Sequence, residues 1–388
     1  MNFELTERQK KLVKAFRLLG ETWFTRDHIA QWERNQGVSD DAALAFVEEY
    51  SRHDELMPEH SVGGSLFAQT LIAEEIARSS GALLPFANDI MNLRIMEEYA
   101  ETGQFGDILE SYRRTGRLAF AFAITEPEGG SDMMSMRTAV TRRGNQLVLA
   151  GSKTFVVNGE YAPSIVVAAI DKEAKAEKYP ALSFWLLPRD LPGISAWPIN
   201  KIGQEMLPFS QVVFDEVAVQ EEFRLKNGVQ HGFPQLFHLL EIGRINVCAS
   251  SLGMAQAAME DAVCYAKTRA AFGKPIFSFQ NLSEMIVDME VRLHAMRHLI
   301  YSAAWSIDKR HPDRRLKVAL MKRYVPAVAT EIASNALQIF GGLGYTKDVR
   351  VSRIWQDCRG NQIAEGTDQV MVLAASPLIA DKYSSRDV

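Results

Sequence analysis

The run Ile363-Ala364-Glu365-Gly366-Thr367-Asp368 sets one carboxylate between two small residues near the end of the 388-residue chain. Small neighbours leave room for a substrate to reach Glu365 and let an adjacent backbone N–H point at a carbonyl oxygen, as a general base needs when negative charge develops beside it. A glutamate alone is usually a solvated charge, so the context carries this reading. A second run, Ala123-Ile124-Thr125-Glu126-Pro127-Glu128-Gly129-Gly130-Ser131-Asp132, offers hydroxyls and backbone N–H groups with little bulk. That suits the edge of a planar ring or a pyrophosphate, and equally a tight capped turn. Beyond a predicted hairpin follows Gly151-Ser152-Lys153-Thr154-Phe155-Val156-Val157-Asn158-Gly159. A third run, Arg269-Ala270-Ala271-Phe272-Gly273-Lys274-Pro275-Ile276, with Gln280 beyond it, joins an arginine fork suited to a diphosphate to an aromatic face; an isolated arginine would be a surface charge. In Gln338-Ile339-Phe340-Gly341-Gly342-Leu343-Gly344-Tyr345 the glycine pair permits close backbone approach, which a helix-ending turn would also require.

Several common chemistries lack their motifs. There is no Gly-x-Gly-x-x-Gly after a strand, Gly273-Lys274 has no P-loop context, and neither a Gly-x-Ser-x-Gly elbow nor a His-Glu-x-x-His pair occurs. Glu290, His294 and His298 share a helical face, which we read as solvated rather than metal-binding; His60, His231 and His238 have the same standing. Forty-three basic against 48 acidic side chains argue against a broad nucleic-acid footprint. Cys248, Cys264 and Cys358 form no Cys-x-x-Cys pair and read as reduced thiols. No basic-then-apolar leader opens the sequence, and apolar runs such as Ile165 to Ile170 are too short to span a bilayer, so we expect a cytoplasmic protein.

The elements that must position these runs fall into an α, β, α order. Residues 1–115 read as a helical domain, with apolar spacing such as Leu66-Phe67, Leu71-Ile72 and Ile76, interrupted by a loop from Met57 to Gly64. Residues 116–225 hold short β-rich runs, Gln146 to Ala150, Ser164 to Ile170, Leu182 to Leu187 and Gln211 to Val219, among seven of the 14 prolines. Proline removes ladder donors, so we expect a compact antiparallel β-sandwich or small barrel rather than βαβ units. Residues 226–388 return to helix, clearest in the stripe Leu282, Met285, Ile286, Met289, Leu293, Met296 and Ile300. Pro326 should kink or start a helix, and the tail after Ser384 reads as frayed.

Taken together, the runs resemble the acyl-CoA dehydrogenase family along nearly the whole chain. The resemblance implies an α+β fold with a β domain between two helical ones, bound FAD, and Glu365 as the base. It also implies that Phe122, Ile124, Thr125, Gly130, Ser131, Phe155, Val157 and Thr367 contact the flavin. Arg269, Phe272, Gln280, Gln338, Gly341 and Gly342 would reach the FAD of a neighbouring subunit, as a homodimer or homotetramer requires. Ser131, Glu241, Arg244 and Gly366 would hold the CoA-linked substrate, Glu241 and Arg244 reading otherwise as a structural ion pair. Val157 departs from relatives that carry a threonine hydroxyl there.

Some members place the base at the position matching Gly243, which has no proton acceptor, leaving Glu365 as the family-type base. The implied reaction is α,β-dehydrogenation of an acyl-CoA to the trans-2-enoyl-CoA. The thioester oxygen would lie between the Glu365 N–H and a ribityl hydroxyl, and electrons would pass to an electron-transfer flavoprotein. The segment from Gly341 to Asp357 looks similar to the branch with crotonobetainyl-CoA reductase, whose members can carry glycine in place of Glu365. Enoyl-CoA reduction, desulfinase-like elimination, flavin monooxygenation and non-catalytic flavin or acyl-CoA binding are the competing readings.

Overall fold

The computed structural model describes residues 4–57, 61–62, 64–175, 179–225 and 232–384. Pro58, Glu59, His60, Gly63, His231 and the tail from Ser385 lie outside the described residues. Six helices come first: α1 (Glu7–Trp23), α2 (Arg26–Asn35), α3 (Asp40–Ser51), α4 (Leu66–Ser80), α5 (Phe86–Tyr99) and α6 (Thr102–Thr115). Their starts follow from local chemistry. Thr6 and Gln9 form a reciprocal capping box on α1, and Ser65 Oγ accepts from Ala68 N on α4. Asp308, far away in sequence, accepts from Leu66 N and Phe67 N as well, fastening the start of α4 to the C-terminal helices.

The middle of the chain forms β1 (Phe120–Ala123), β2 (Ala139–Arg143), β3 (Gln146–Val157), β4 (Ser164–Asp171), β5 (Leu182–Pro188), β6 (Ile194–Ile199) and β7 (Phe209–Val219). The sheet runs β1-β4-β2-β3-β7-β6, with β5 also on β4. It is mixed rather than wholly antiparallel, since β4 pairs parallel with both β1 and β2. The apolar run of β4 is buried on both faces: Ile165, Val167 and Ala169 pack within the β domain, and Val166, Ala168 and Ile170 join the large helical core. Pro198 lies in β6, at the end of the strand order, where a missing donor costs least.

Helices α7 (Gly232–Thr268), α8 (Gln280–Asp308), α9 (Arg314–Phe340), α10 (Val351–Asn361) and α11 (Asp368–Ser384) complete the chain, with a small hairpin of β8 (Ala270–Ala271) and β9 (Lys274–Pro275) after α7. The stripe on α8 is buried at Ile286, Met289, Leu293, Met296 and Ile300. Pro326 lies well inside α9 instead of at its start, and Thr330 Oγ1 donates to the Pro326 carbonyl at 2.8 Å. No helix among the described residues is long and apolar enough to cross a membrane.

Candidate active site

Glu365 lies in the short connection from α10 to α11, with φ +57°, followed by Gly366 at φ +96°. Two consecutive residues on that side of φ need outside restraint, because only glycine adopts the conformation freely. Two cations, half-buried Arg244 and buried Lys322, supply it. Arg244 Nε, on α7, donates to the Glu365 carbonyl at 2.9 Å, and Lys322 Nζ, on α9, donates to the Gly366 carbonyl at 3.0 Å. Thr367 Oγ1 accepts from Val370 N and caps α11, a structural task alongside any contact with a flavin.

The residue as a whole keeps partial exposure, but Glu365 Oε2 is sealed and has no hydrogen-bond partner among the described residues. Burial raises its pKa above the ordinary carboxylate range, against the downward pull of Arg244 and Lys322. Gly243 explains where that oxygen sits. A Cβ built on Gly243 would lie 2.4 Å from Glu365 Oε2 and 3.0 Å from Met91 Sδ, so only glycine leaves space for the carboxylate. Gly243 and Glu365 are thus neighbours in space.

Lys322 was not anticipated from the sequence. Its signal was available: it falls in the helical stripe Val318, Lys322, Val325, Ala329, every member buried, and a fully buried lysine is rarely idle. Glu241 points elsewhere. Its carboxylate gathers His238 Nδ1 at 3.6 Å, Arg315 Nε at 3.5 Å and Arg314 Nε at 3.8 Å. His238 in turn is held protonated to higher pH, first by its bond to Glu241 and then, against burial, by Glu98.

The loop after β1 is built as a unit. Thr154 N donates to the Thr125 carbonyl at 2.8 Å, joining Thr125 to β3. Beneath it Lys153 Nζ donates to the Ile124 carbonyl at 2.8 Å and pairs with Glu126 Oε1 at 3.0 Å, while Glu126 also accepts from Arg137 N and Thr138 N. Burial pushes Lys153 down to about 8 despite Glu126. Gly130 lies within 3.8 Å of the Thr125 methyl when given a Cβ, and Gly130 and Ser131 are exposed. Phe122, Ile124, Thr125, Gly130, Ser131, Phe155 and Val157 are therefore gathered by β1, its loop and β3. Phe122 lies 5.8 Å from Phe184, which stacks on Tyr99 at the end of α5, the helix that also brings Met91 to Gly243.

The remaining expected contacts are not brought to this place within one chain. Arg269, Phe272 and Gln280 follow the far end of α7, and stacking of Tyr265 on Phe340 at 4.3 Å joins that end to Gln338, Gly341 and Gly342. From Gly243 to Thr268 is roughly 37 Å along a helix rising about 1.5 Å per residue. The two groups of expected contact residues therefore lie far apart along α7.

Both halves suit a large planar cofactor. Phe155 is 56% exposed and held at φ +55°, Phe272 is 95% exposed, and a Cβ on Gly341 or Gly342 would meet nothing within 4 Å. Among the described residues no three His, Cys, Asp or Glu side chains could hold a metal; His294 instead pairs with Glu290 at 3.2 Å, and the three cysteines are free.

Residues 121–217 match the family model for the middle domain of acyl-CoA dehydrogenases, and residues 230–376 match that for the C-terminal domain. The chain is 32% identical to the probable acyl-CoA dehydrogenase YdiO of Escherichia coli, over 100% of both chains. It is similar to the crystal structure of an acyl-CoA dehydrogenase from Slackia heliotrinireducens, with a TM-score of 0.91 and 47% identity over 100% of each chain. The butyryl-CoA dehydrogenase of Megasphaera elsdenii aligns with a TM-score of 0.84 and 27% identity, over 98% of this chain and 100% of that one. The chain belongs to the acyl-CoA dehydrogenase family of FAD-dependent oxidoreductases.

Proposed function

We propose that this protein dehydrogenates the α and β carbons of an acyl-CoA thioester to give the trans-2-enoyl-CoA, with Glu365 as the base. The sealed, unpaired Glu365 Oε2 facing Gly243 carries the reading. An α-C–H beside a thioester is weakly acidic, so the base must be strong and the carbonyl oxygen must be stabilised as charge grows. Burial strengthens Glu365 as a base by raising its pKa, while Arg244 and Lys322 pull in the opposite direction. By bonding the Glu365 and Gly366 carbonyls, the same two cations hold the loop so that the Glu365 N–H is free to donate to the thioester oxygen. Bound FAD would supply the hydride acceptor. Phe122, Ile124, Thr125, Gly130, Ser131, Phe155, Val157 and Thr367 would hold it from one subunit, and Arg269, Phe272, Gln280, Gln338, Gly341 and Gly342 from the next. Arg244 and Gly366 would position the thioester, with Ser131 and Glu241 further along CoA.

The proposal includes a fatty-acyl substrate, a cytoplasmic location, a homodimer or homotetramer, and an electron-transfer flavoprotein as acceptor. An anaerobic titration of the FAD-loaded protein with saturated acyl-CoAs tests it. Bleaching of the flavin should occur in the wild type and vanish in Glu365→Gln, a loss of at least about a thousandfold, with FAD still bound. Equal bleaching in Glu365→Gln would remove Glu365 from the chemistry. Oxidation by enoyl-CoA without any reduction by saturated thioesters would replace the reaction with its reverse.

A further inference from the structure

The connection from β6 to β7 meets the last turns of α10 in a seam whose polar members, Gln204, Asp357 and Asn361, are all buried. The Gln204 N–H donates to Asp357 Oδ1, and its carboxamide Nε2 donates to Asn361 Oδ1 at 2.9 Å and to the Asp357 carbonyl at 3.2 Å. Asp357 Oδ2 also accepts from Leu83 N at 2.9 Å, and Asn361 Nδ2 donates to Ser251 Oγ at 3.0 Å, so the connection from α4 to α5 and helix α7 join the same network. Two glycines permit the approach: a Cβ on Gly203 would lie 2.7 Å from Gln356 Cβ, and one on Gly360 would lie 2.4 Å from Gln204 Nε2. Gln204 itself has φ +57°, a conformation that a glutamine keeps only where its surroundings hold it, and the buried hydrogen bonds do so.

Each side of the seam leads within a few residues to a different part of the proposed active site. On the α10 side, the Gly360 carbonyl accepts from Ile363 N at 3.0 Å and from Ala364 N at 3.1 Å, so the turn that ends in Glu365 starts from the residue against which the Gln204 amide packs. On the other side the chain runs from Gln204 to Pro208, whose carbonyl accepts from Asn158 N at 2.9 Å. It then enters β7, where Phe209 pairs with Val157 and its ring lies 6.5 Å from that of Phe155. Arg244 and Lys322 tie the backbone of Glu365 and Gly366 to α7 and α9, whereas the seam ties it to the β domain. Taking a proton and a hydride from adjacent carbons needs both acceptors placed at once, and a misplacement of about 1 Å can cost roughly a hundredfold in rate.

We propose that Gln204 is a positioning residue, which holds the Glu365 connection in register with the end of β3 that carries Phe155 and Val157. It acts through Gly360 and Asn361, and the assignment rests on the acyl-CoA reading above. Gln204→Met keeps the backbone N–H and the length of the side chain but removes both carboxamide bonds. In the FAD-loaded variant, amide hydrogen exchange across residues 361–367 should speed up. Flavin bleaching by butyryl-CoA, hexanoyl-CoA or octanoyl-CoA, whichever bleaches the wild type fastest, should slow by about tenfold or more. Deuterium at the α carbon should slow the variant more than the wild type, because proton removal by a displaced base then limits the rate. FAD retention and the Kd of an unreactive S-alkyl-CoA thioether of the same length should stay unchanged.

Gly203→Ala, which pushes the connection off Gln356 and leaves every hydrogen-bonding side chain of the seam in the sequence, should repeat the pattern and decides should Gln204→Met fail to fold. Unchanged exchange and bleaching would overturn the assignment and leave the dehydrogenase reading standing. So would slower bleaching with a wild-type isotope effect and lost FAD, which would make Gln204 structural alone. A wild-type flavin that no saturated thioester bleaches would bring down the dehydrogenase reading, and the positioning role with it.

Discussion

Glu365 and Gly243 occupy adjoining space, and the consequences are local. In Gly243→Ala the new Cβ would stand 2.4 Å from Glu365 Oε2, so the carboxylate must swing away. We expect kcat to fall by about tenfold to a hundredfold with little change in melting temperature, read by steady-state kinetics beside calorimetry. Unchanged kcat would mean that the carboxylate has other room. The pH profile belongs to the same residue. The base acts ionised and burial raises its pKa, so the acid limb of kcat/KM should lie at higher pH than for an ordinary carboxylate, with activity rising through it. Lys322→Met removes a cation that favours the ionised form and should move that limb to still higher pH. A limb that stayed put would show Lys322 to be structural only.

Among elements, β3 does more than pair with its neighbours. It carries Lys153, fully buried, whose ammonium ties the loop from Ile124 to Ser131 to the sheet through the Ile124 carbonyl and Glu126. Lys153→Met would leave Glu126 charged and buried beside Arg137 N and Thr138 N without its counter-ion. Removing one member of such a pair costs about 3–5 kcal/mol, so urea unfolding should shift strongly and FAD retention should fall. A variant as stable as the wild type would show that Glu126 is readily neutralised. The Thr-x-Pro-x-Gly-Gly-Ser run was legible as a loop that presents backbone, but its anchor was not. A lysine in a β pattern reads as an outward residue until the partner strand and the loop close over it.

At the scale of the whole molecule, the proposal takes its FAD contacts from two regions far apart along α7, and on that proposal a second copy of the chain completes each site. Phe272, 95% exposed, and Tyr345, 88% exposed, lie on the distal half. Phe272→Asp should therefore weaken FAD binding by about tenfold or more and shift the native mass toward one chain, while circular dichroism stays unchanged. A wild-type protein that is a single chain with FAD firmly bound would defeat this.

The order of helical, β and helical segments was legible because apolar periodicity differs between helix and strand and survives in a linear reading. So were the stripe on α8 and the strand Ser164–Asp171, both dictated by burial. The carboxylate between small residues was visible as well. What only the tertiary structure decided were relations between distant residues: that β4 pairs parallel with β1 and β2, that Gly243 makes the space Glu365 fills, and that Lys322 and Arg244 clamp the loop. Those relations arise from close packing and hydrogen bonding between segments more than a hundred residues apart, or on different elements, and periodicity along one segment carries no information about which other segment it meets.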